Sequence, residues 1–175
     1  PPPTPGEPHR FDERIADCAV APSGRLVLVG SAFGRHEKDP KMPKRERLAL
    51  LGADLDDDAP QWTVVDTTFD LLTQSAAHSV ALDDAGRSIV SLSLFKDMKQ
   101  PGVVGQVRVF GPSGEQEGLP PPLNLPGAIV PPLDVAWIPA GYFVLASARP
   151  DPKDPNFSEF FVQAYHLGEG TPLWT

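Results

Sequence analysis

The stretch Asp17–Gly30 reads DCAVAPSGRLVLVG, and two later stretches repeat its plan: His78–Ser91, HSVALDDAGRSIVS, and Asp134–Ala146, DVAWIPAGYFVLA. Each holds a Val-Ala pair (Val20-Ala21, Val80-Ala81, Val135-Ala136), then a turn with a glycine (Gly24, Gly86, Gly141), then an alternating apolar run. The pairs stand about 60 and 55 residues apart. A tight hairpin needs a residue at positive φ, which glycine adopts without steric cost. Repetition at this period marks stacked units, each unable to bury its apolar surface alone.

Working outward, a third strand follows each hairpin, at Leu48–Leu51, Val107–Phe110 and Phe160–Tyr165. A fourth element closes the first and last copies: Pro60-Gln61-Trp62-Thr63 matches Pro172-Leu173-Trp174-Thr175. The second copy has GPSGEQEGLPPPLNL there and lacks the tryptophan. Strands such as Arg25–Val29 and Tyr142–Leu145 are apolar on both faces, as expected where sheets are sandwiched between sheets. A helical reading fails, because the apolar runs are short and end in Gly or Pro. The 22 prolines and 15 glycines fit many short strands joined by turns. The expected architecture is all-β and propeller-type, with three four-stranded blades at 11–69, 70–127 and 128–175 after a Pro-rich linker at 1–10.

The closing run Gly170-Thr171-Pro172-Leu173-Trp174 and the turn Ala81-Leu82-Asp83-Asp84-Ala85-Gly86 carry a resemblance. Together with the Val/Ile strand ending in Gly30, they resemble the β-propeller repeats of secreted and surface proteins of bacteria. The first and third turns, Pro22-Ser23-Gly24 and Pro139-Ala140-Gly141, lack the aspartate of that pattern. The resemblance covers about Phe11 to Thr175. It implies a secreted or cell-envelope location and a binding or scaffolding role, with no shared catalytic set and no cofactor. Three blades do not close a ring, since propellers need about four to eight. The expectation is a partial ring, completed by further chain or by another copy through self-association.

Composition bounds the partners. The 175 residues are 41% hydrophobic and 22% charged, a globular balance. A net charge of −8 disfavours nucleic acid as a global partner. No apolar run is long enough for a transmembrane segment. The chain begins at Pro1 without a methionine, which suggests a removed targeting segment or an excised piece. Cys18, the one cysteine, is expected to be a buried inert thiol.

Propeller geometry places the second-to-third-strand loops on one face. There Arg35, His36, Lys38, Lys41 and Lys44, followed by Arg45 and Arg47, outweigh Glu37, Asp39 and Glu46; Lys96 and Lys99 join them from the second copy. The opposite face would carry Asp54, Asp56, Asp57, Asp58, Glu115, Glu117 and Glu169. Solvated surface charge is the plain reading. The functional reading is a basic loop face, Arg35, His36, Lys38, Lys41, Lys44, Lys96 and Lys99, that binds an acidic protein or glycan.

Sharper chemistry finds little footing. Asp54–Asp58 is rich in carboxylates but lacks the glycine and closing glutamate of a calcium loop, so it reads as an acidic turn. Asp151–Asn156 has two prolines and Lys153 against it as a metal site. His9, His36, His78 and His166 have no zinc-ligand spacing. A His78/Asp134 pair is the one acid–base candidate. No Gly-x-Ser-x-Gly elbow or phosphate loop occurs, and Trp62, Trp137 and Trp174 sit at packing positions. The reading is a non-enzymatic binding or assembly scaffold. The alternative is part of a propeller hydrolase or lyase with its site at the channel mouth, although Cys18, His78 and Leu133, which hold the equivalent positions, do not converge chemically.

Overall fold

A computed structural model describes residues 12–34, 45–56, 59–65, 74–96, 102–117, 123–124, 134–138, 141–151, 153–154, 158–167 and 172–174. These form twelve strands: β1 (Asp12–Val20), β2 (Arg25–Gly34), β3 (Arg45–Asp54), β4 (Trp62–Val65), β5 (Gln74–Leu82), β6 (Ser88–Lys96), β7 (Gly102–Phe110), β8 (Leu123–Asn124), β9 (Asp134–Ile138), β10 (Tyr142–Pro150), β11 (Ser158–His166) and β12 (Pro172–Trp174). They make three four-stranded sheets, each an antiparallel meander in chain order: β1-β2-β3-β4, β5-β6-β7-β8 and β9-β10-β11-β12. No described residue is helical, and none belongs to a helix long and apolar enough to cross a membrane.

Two of the hairpins repeat bond for bond, and all three share a turn glycine. Gly24, Gly86 and Gly141 hold φ at +87°, +80° and +83°. The Gly24 and Gly86 amides donate to Ala21 and Asp83 carbonyls at 2.9 and 3.0 Å. Leu55 N donates to Gly24 O and Leu167 N to Gly141 O, so the third-strand exit is pinned to the hairpin in two of the sheets.

Strand register refines the sequence alignment. Cys18 faces Leu28, Val80 faces Val90 and Val135 faces Leu145 across their hairpins. The counterpart of Val80-Ala81 and Val135-Ala136 is therefore Cys18-Ala19, two residues before Val20-Ala21. A two-residue slip keeps every side chain on its own face, so the apolar pattern alone does not reveal it. The same register places Trp62 opposite Gly52 and Trp174 opposite Ala164 at equivalent positions, as the PxWT match requires.

The sheets pack face to face. Val27, Val29, Leu48 and Leu50 of the first sheet meet Val80, Val90, Leu92 and Phe110 of the second. The other face of the second sheet, with Ile89, Val107 and Val109, meets Val135, Phe143, Leu145 and Tyr165 of the third. Two-sided burial therefore belongs to the middle sheet. In the outer sheets one face is covered and the other is open, so Val27 and Val29 are buried while Leu28 between them is half-buried. Cys18, expected inside, is exposed, because it lies on the open face of the first sheet.

Trp62 clasps the first joint. Its indole nitrogen donates to Pro112 O at 2.9 Å, and its ring lies over Gly52 and against Gly114. A Cβ on Gly52 would sit 2.1 Å from the ring, so glycine is what lets the indole lie flat. Trp62→Ala should cost about 3 kcal/mol, from lost packing and an orphaned carbonyl. Trp62→Phe should cost about 1–2 kcal/mol, since most of the ring contact survives. Urea-unfolding midpoints of the two variants check this ordering.

In the second joint Tyr165 stacks on Phe143 at 5.2 Å and donates to Gln163 Oε1 at 2.8 Å. Burial raises its phenol above the ordinary tyrosine value. The folded chain thus keeps this proton to higher pH than the unfolded chain. That stabilisation is complete below about pH 10 and is lost as pH climbs through the raised value. Tyr165→Phe should flatten the alkaline fall in stability, measured by urea unfolding across that range.

Candidate functional site

The first strands of the three sheets lie along one seam, and polar bonds join them. β1 and β5 each carry a bulge, between Ile15 and Asp17 and between Ala77 and Ser79, leaving Ala16 and His78 unpaired in register. A bulge re-aims the neighbouring groups, here toward the next sheet. Asp17 Oδ2 accepts from Val80 N at 2.9 Å, and Ser79 Oγ donates to Asp134 Oδ1 at 2.6 Å. Asp17, Ser79 and Asp134 face Val29, Ser91 and Ala146 across their hairpins, so the three occupy one repeat position. The Leu48 amide also donates to Ser75 Oγ at 2.8 Å, a further bond from the first sheet to the second.

The His78/Asp134 candidate takes a different form. His78 Nε2 lies 2.8 Å from Ser93 Oγ, while Asp134 Oδ1 takes the Ser79 hydroxyl and the Val135 amide at 2.8 Å. Ser93 is completely buried, so its hydroxyl is closed to a substrate although a histidine stands beside it. These bonds fasten strands together. Register also makes Ala16 the counterpart of His78, in place of Cys18; Leu133 lies outside the described residues.

The turn end of the sheets differs from its sequence reading. Arg25, just after the first hairpin, donates to Gln61 Oε1 at 2.9 Å and stands 3.7 Å from Asp54 Oδ1. Gln61 in turn donates to Asp54. The Arg25 side chain reaches the next sheet's hairpin, passing about Gly86, where a Cβ would meet it at 3.0 Å. Its counterpart Arg87 pairs with Asp83 at 2.7 Å and lies 5.4 Å from the Trp137 ring centroid, in the third sheet. Trp137 closes that joint by donating to Ala81 O at 3.1 Å. Glu115 Oε2 accepts the Ser113 amide. The expected acidic face is thus partly neutralised by two arginines and partly engaged in its own turns. Among the described residues no group of three or more His, Cys, Asp or Glu is placed to hold a metal ion.

The basic loop set falls largely outside this description. Arg35, His36, Lys38, Lys41, Lys44 and Lys99 lie outside the described residues; Lys96 ends β6, with its side chain outside them. What is described is their anchorage. Gly34 pairs with Arg45, Lys96 with Gly102 and Pro150 with Ser158, the strand ends remote from the hairpin turns. Arg25 beside Gly86, Trp62 beside Pro112 and Arg87 beside Trp137 keep the turn ends together, so the three connecting segments leave from a common opposite end.

Fold and joints define an all-β protein of three stacked sibling meanders. No family model matches the chain, and no curated protein is significantly similar to it.

Val80 is buried, so Asp17→Ala would leave its amide without an acceptor. The expected loss is about 1–3 kcal/mol, with Asp17→Asn closer to wild type because it keeps an acceptor. Chemical unfolding of both variants tests whether the carboxylate is a joint or a bystander.

Proposed function

We propose that this chain is a β-propeller-type repeat module, secreted or displayed on a bacterial cell envelope, that serves as a non-enzymatic binding and assembly scaffold. The observation that carries the reading is the recurrence of one sheet-to-sheet joint. Each joint carries a polar bond from the shared first-strand position, Asp17 or Ser79, to the next sheet, and an arginine directly after the turn glycine that reaches the next sheet, Arg25 to the Gly86 hairpin and Arg87 to the Trp137 ring. Radial repetition of four-stranded meanders in this manner is how propellers are built. The resemblance of the Gly-turn and Gly-x-x-x-Trp runs to surface-protein repeats supplies the location.

The binding surface in this reading is the connection end. Its segments are long and irregular in length, as binding loops on rigid scaffolds are. The basic run Arg35, Lys38, Lys41, Lys44, with His36 and the Lys96/Lys99 pair, concentrates positive charge on a chain of net charge −8. A local cationic patch on an acidic protein draws anionic polymers through short-range attraction that salt screens. An acidic glycan or an acidic protein segment suits it.

Heparin and poly-glutamate are the probes. The wild-type chain should be retained at low salt and released as salt rises. Replacing Arg35, Lys38, Lys41 and Lys44 together by Ala should weaken binding by on the order of tenfold, given roughly 0.2–1 kcal/mol for each exposed charge contact. Retention that is equal for both chains, or indifferent to salt, would remove the basic loop face from the reading.

A further inference from the structure

The repeat allows each open surface to be compared with its covered siblings. On the free face of the third sheet Phe160 is 78% and Val162 46% exposed. Register makes Phe160 the counterpart of Leu48, opposite Ser31 as Phe160 is opposite Ala148. It makes Val162 the counterpart of Leu50 and Val107. Those siblings are 0%, 1% and 5% exposed, because the next sheet covers them. The free face of the first sheet tells the same story from the other side. Val20 is 53% exposed and Cys18 is exposed, while Val80 and Val135, which share the Cys18 position, are each 5% exposed. Leu82 and Trp137, which share the Val20 position, pack into the two cores.

The two open faces are also of opposite kinds. The covered joints always set the face bearing Leu50 or Val107 against the face bearing Val80 or Val135 of the following sheet. The third sheet leaves open a face of the first kind, with Val162, and the first sheet leaves open a face of the second kind, with Cys18 and Val20. The three described sheets therefore leave two surfaces that complement each other and not themselves.

We infer that two copies of this chain associate head to tail, the Phe160/Val162 face of each covering the Cys18/Val20 face of the other. The interface continues the one already built twice inside the chain. Leu50 and Leu82 share one core cluster, so Val162 of one copy meets Val20 of the other. Two such joints related by a two-fold axis close the assembly. Two copies give six sheets, inside the roughly four to eight that propellers use, and three copies would exceed it. The inference rests on the stacked-sheet reading proposed above, but not on the basic loops.

Sedimentation of the 175-residue chain should give about twice 18.8 kDa at micromolar concentration, dissociating on dilution. Cys18, the one cysteine, reports on the same face: its reaction with a thiol reagent should slow severalfold as the chain is concentrated. Val20→Lys and Val162→Glu should each yield single copies with native circular dichroism. Mixed together they should pair again, since each contributes one unaltered face to a single intact joint and the other joint sets Lys against Glu. A single-copy mass for the wild type, with Cys18 reacting at one rate at all concentrations, overturns the inference. So does a pair that Val20→Lys breaks and Val162→Glu leaves intact, which would mean like faces meet. Heparin retention by a single copy would leave the scaffold reading standing while this pairing falls.

Discussion

A four-stranded sheet with apolar side chains on both faces has no stable surface to offer water, and this constraint organises the chain. In β6 the consecutive residues Ile89, Val90, Ser91 and Leu92 are all fully buried, which requires a neighbour on each side. At about 25 cal/mol for each Å² of apolar surface covered, stacking sibling sheets is the strongest stabilising contribution available to a chain with so few helix-forming stretches. The first and third sheets exist in their present form because the second cannot stand uncovered. They inherit the same two-faced composition and the same requirement.

Apolar stacking is non-directional, so it does not by itself fix how one sheet sits on the next. The polar joints do that. Asp17 to Val80 and Ser79 to Asp134 tie the first strands, while Trp62 to Pro112 and Trp137 to Ala81 tie points near the turn ends. Bonds at two separated points on each interface leave little freedom to slide or rotate. Arg25 and Arg87 add a third contact at the hairpin rim, each shared with an aspartate of its own sheet. Both arginines therefore have a counter-charge close by.

Much of the strand plan was legible. The three turn glycines, the third strands and the Trp62/Trp174 match correspond to real register positions, because turns and period-two alternation are local features. The slip at Val20-Ala21 arose where Cys18-Ala19-Val20-Ala21 offers two similar words one sheet period apart, and only cross-strand pairing distinguishes them. Cys18 was misplaced for a related reason. Burial depends on whether a neighbour covers that face, and an end sheet has the same sequence pattern as a middle one. The joints Asp17–Val80 and Ser79–Asp134 connect positions more than fifty residues apart through bulges, which no local pattern announces. Arg25 and Arg87 could have been noticed, since each follows a turn glycine directly. The basic loop set rests on sequence, with its strand anchors alone described.

This division of labour bears on where function can reside. Sheet faces are committed to stacking, and the first-strand seam is committed to joining sheets, with Ser93 sealed beneath His78. At the turn end Arg25 pairs with Asp54 and Arg87 with Asp83. The segments connecting second to third strands leave from the other end, and they differ in length: Gly34 and Arg45 have ten residues between them, Lys96 and Gly102 five. A repeat that keeps its joints and varies its connections separates folding from recognition. Changes in the connections leave the stacked faces untouched, so in the binding role proposed above their chemistry can alter without weakening the stacked sheets.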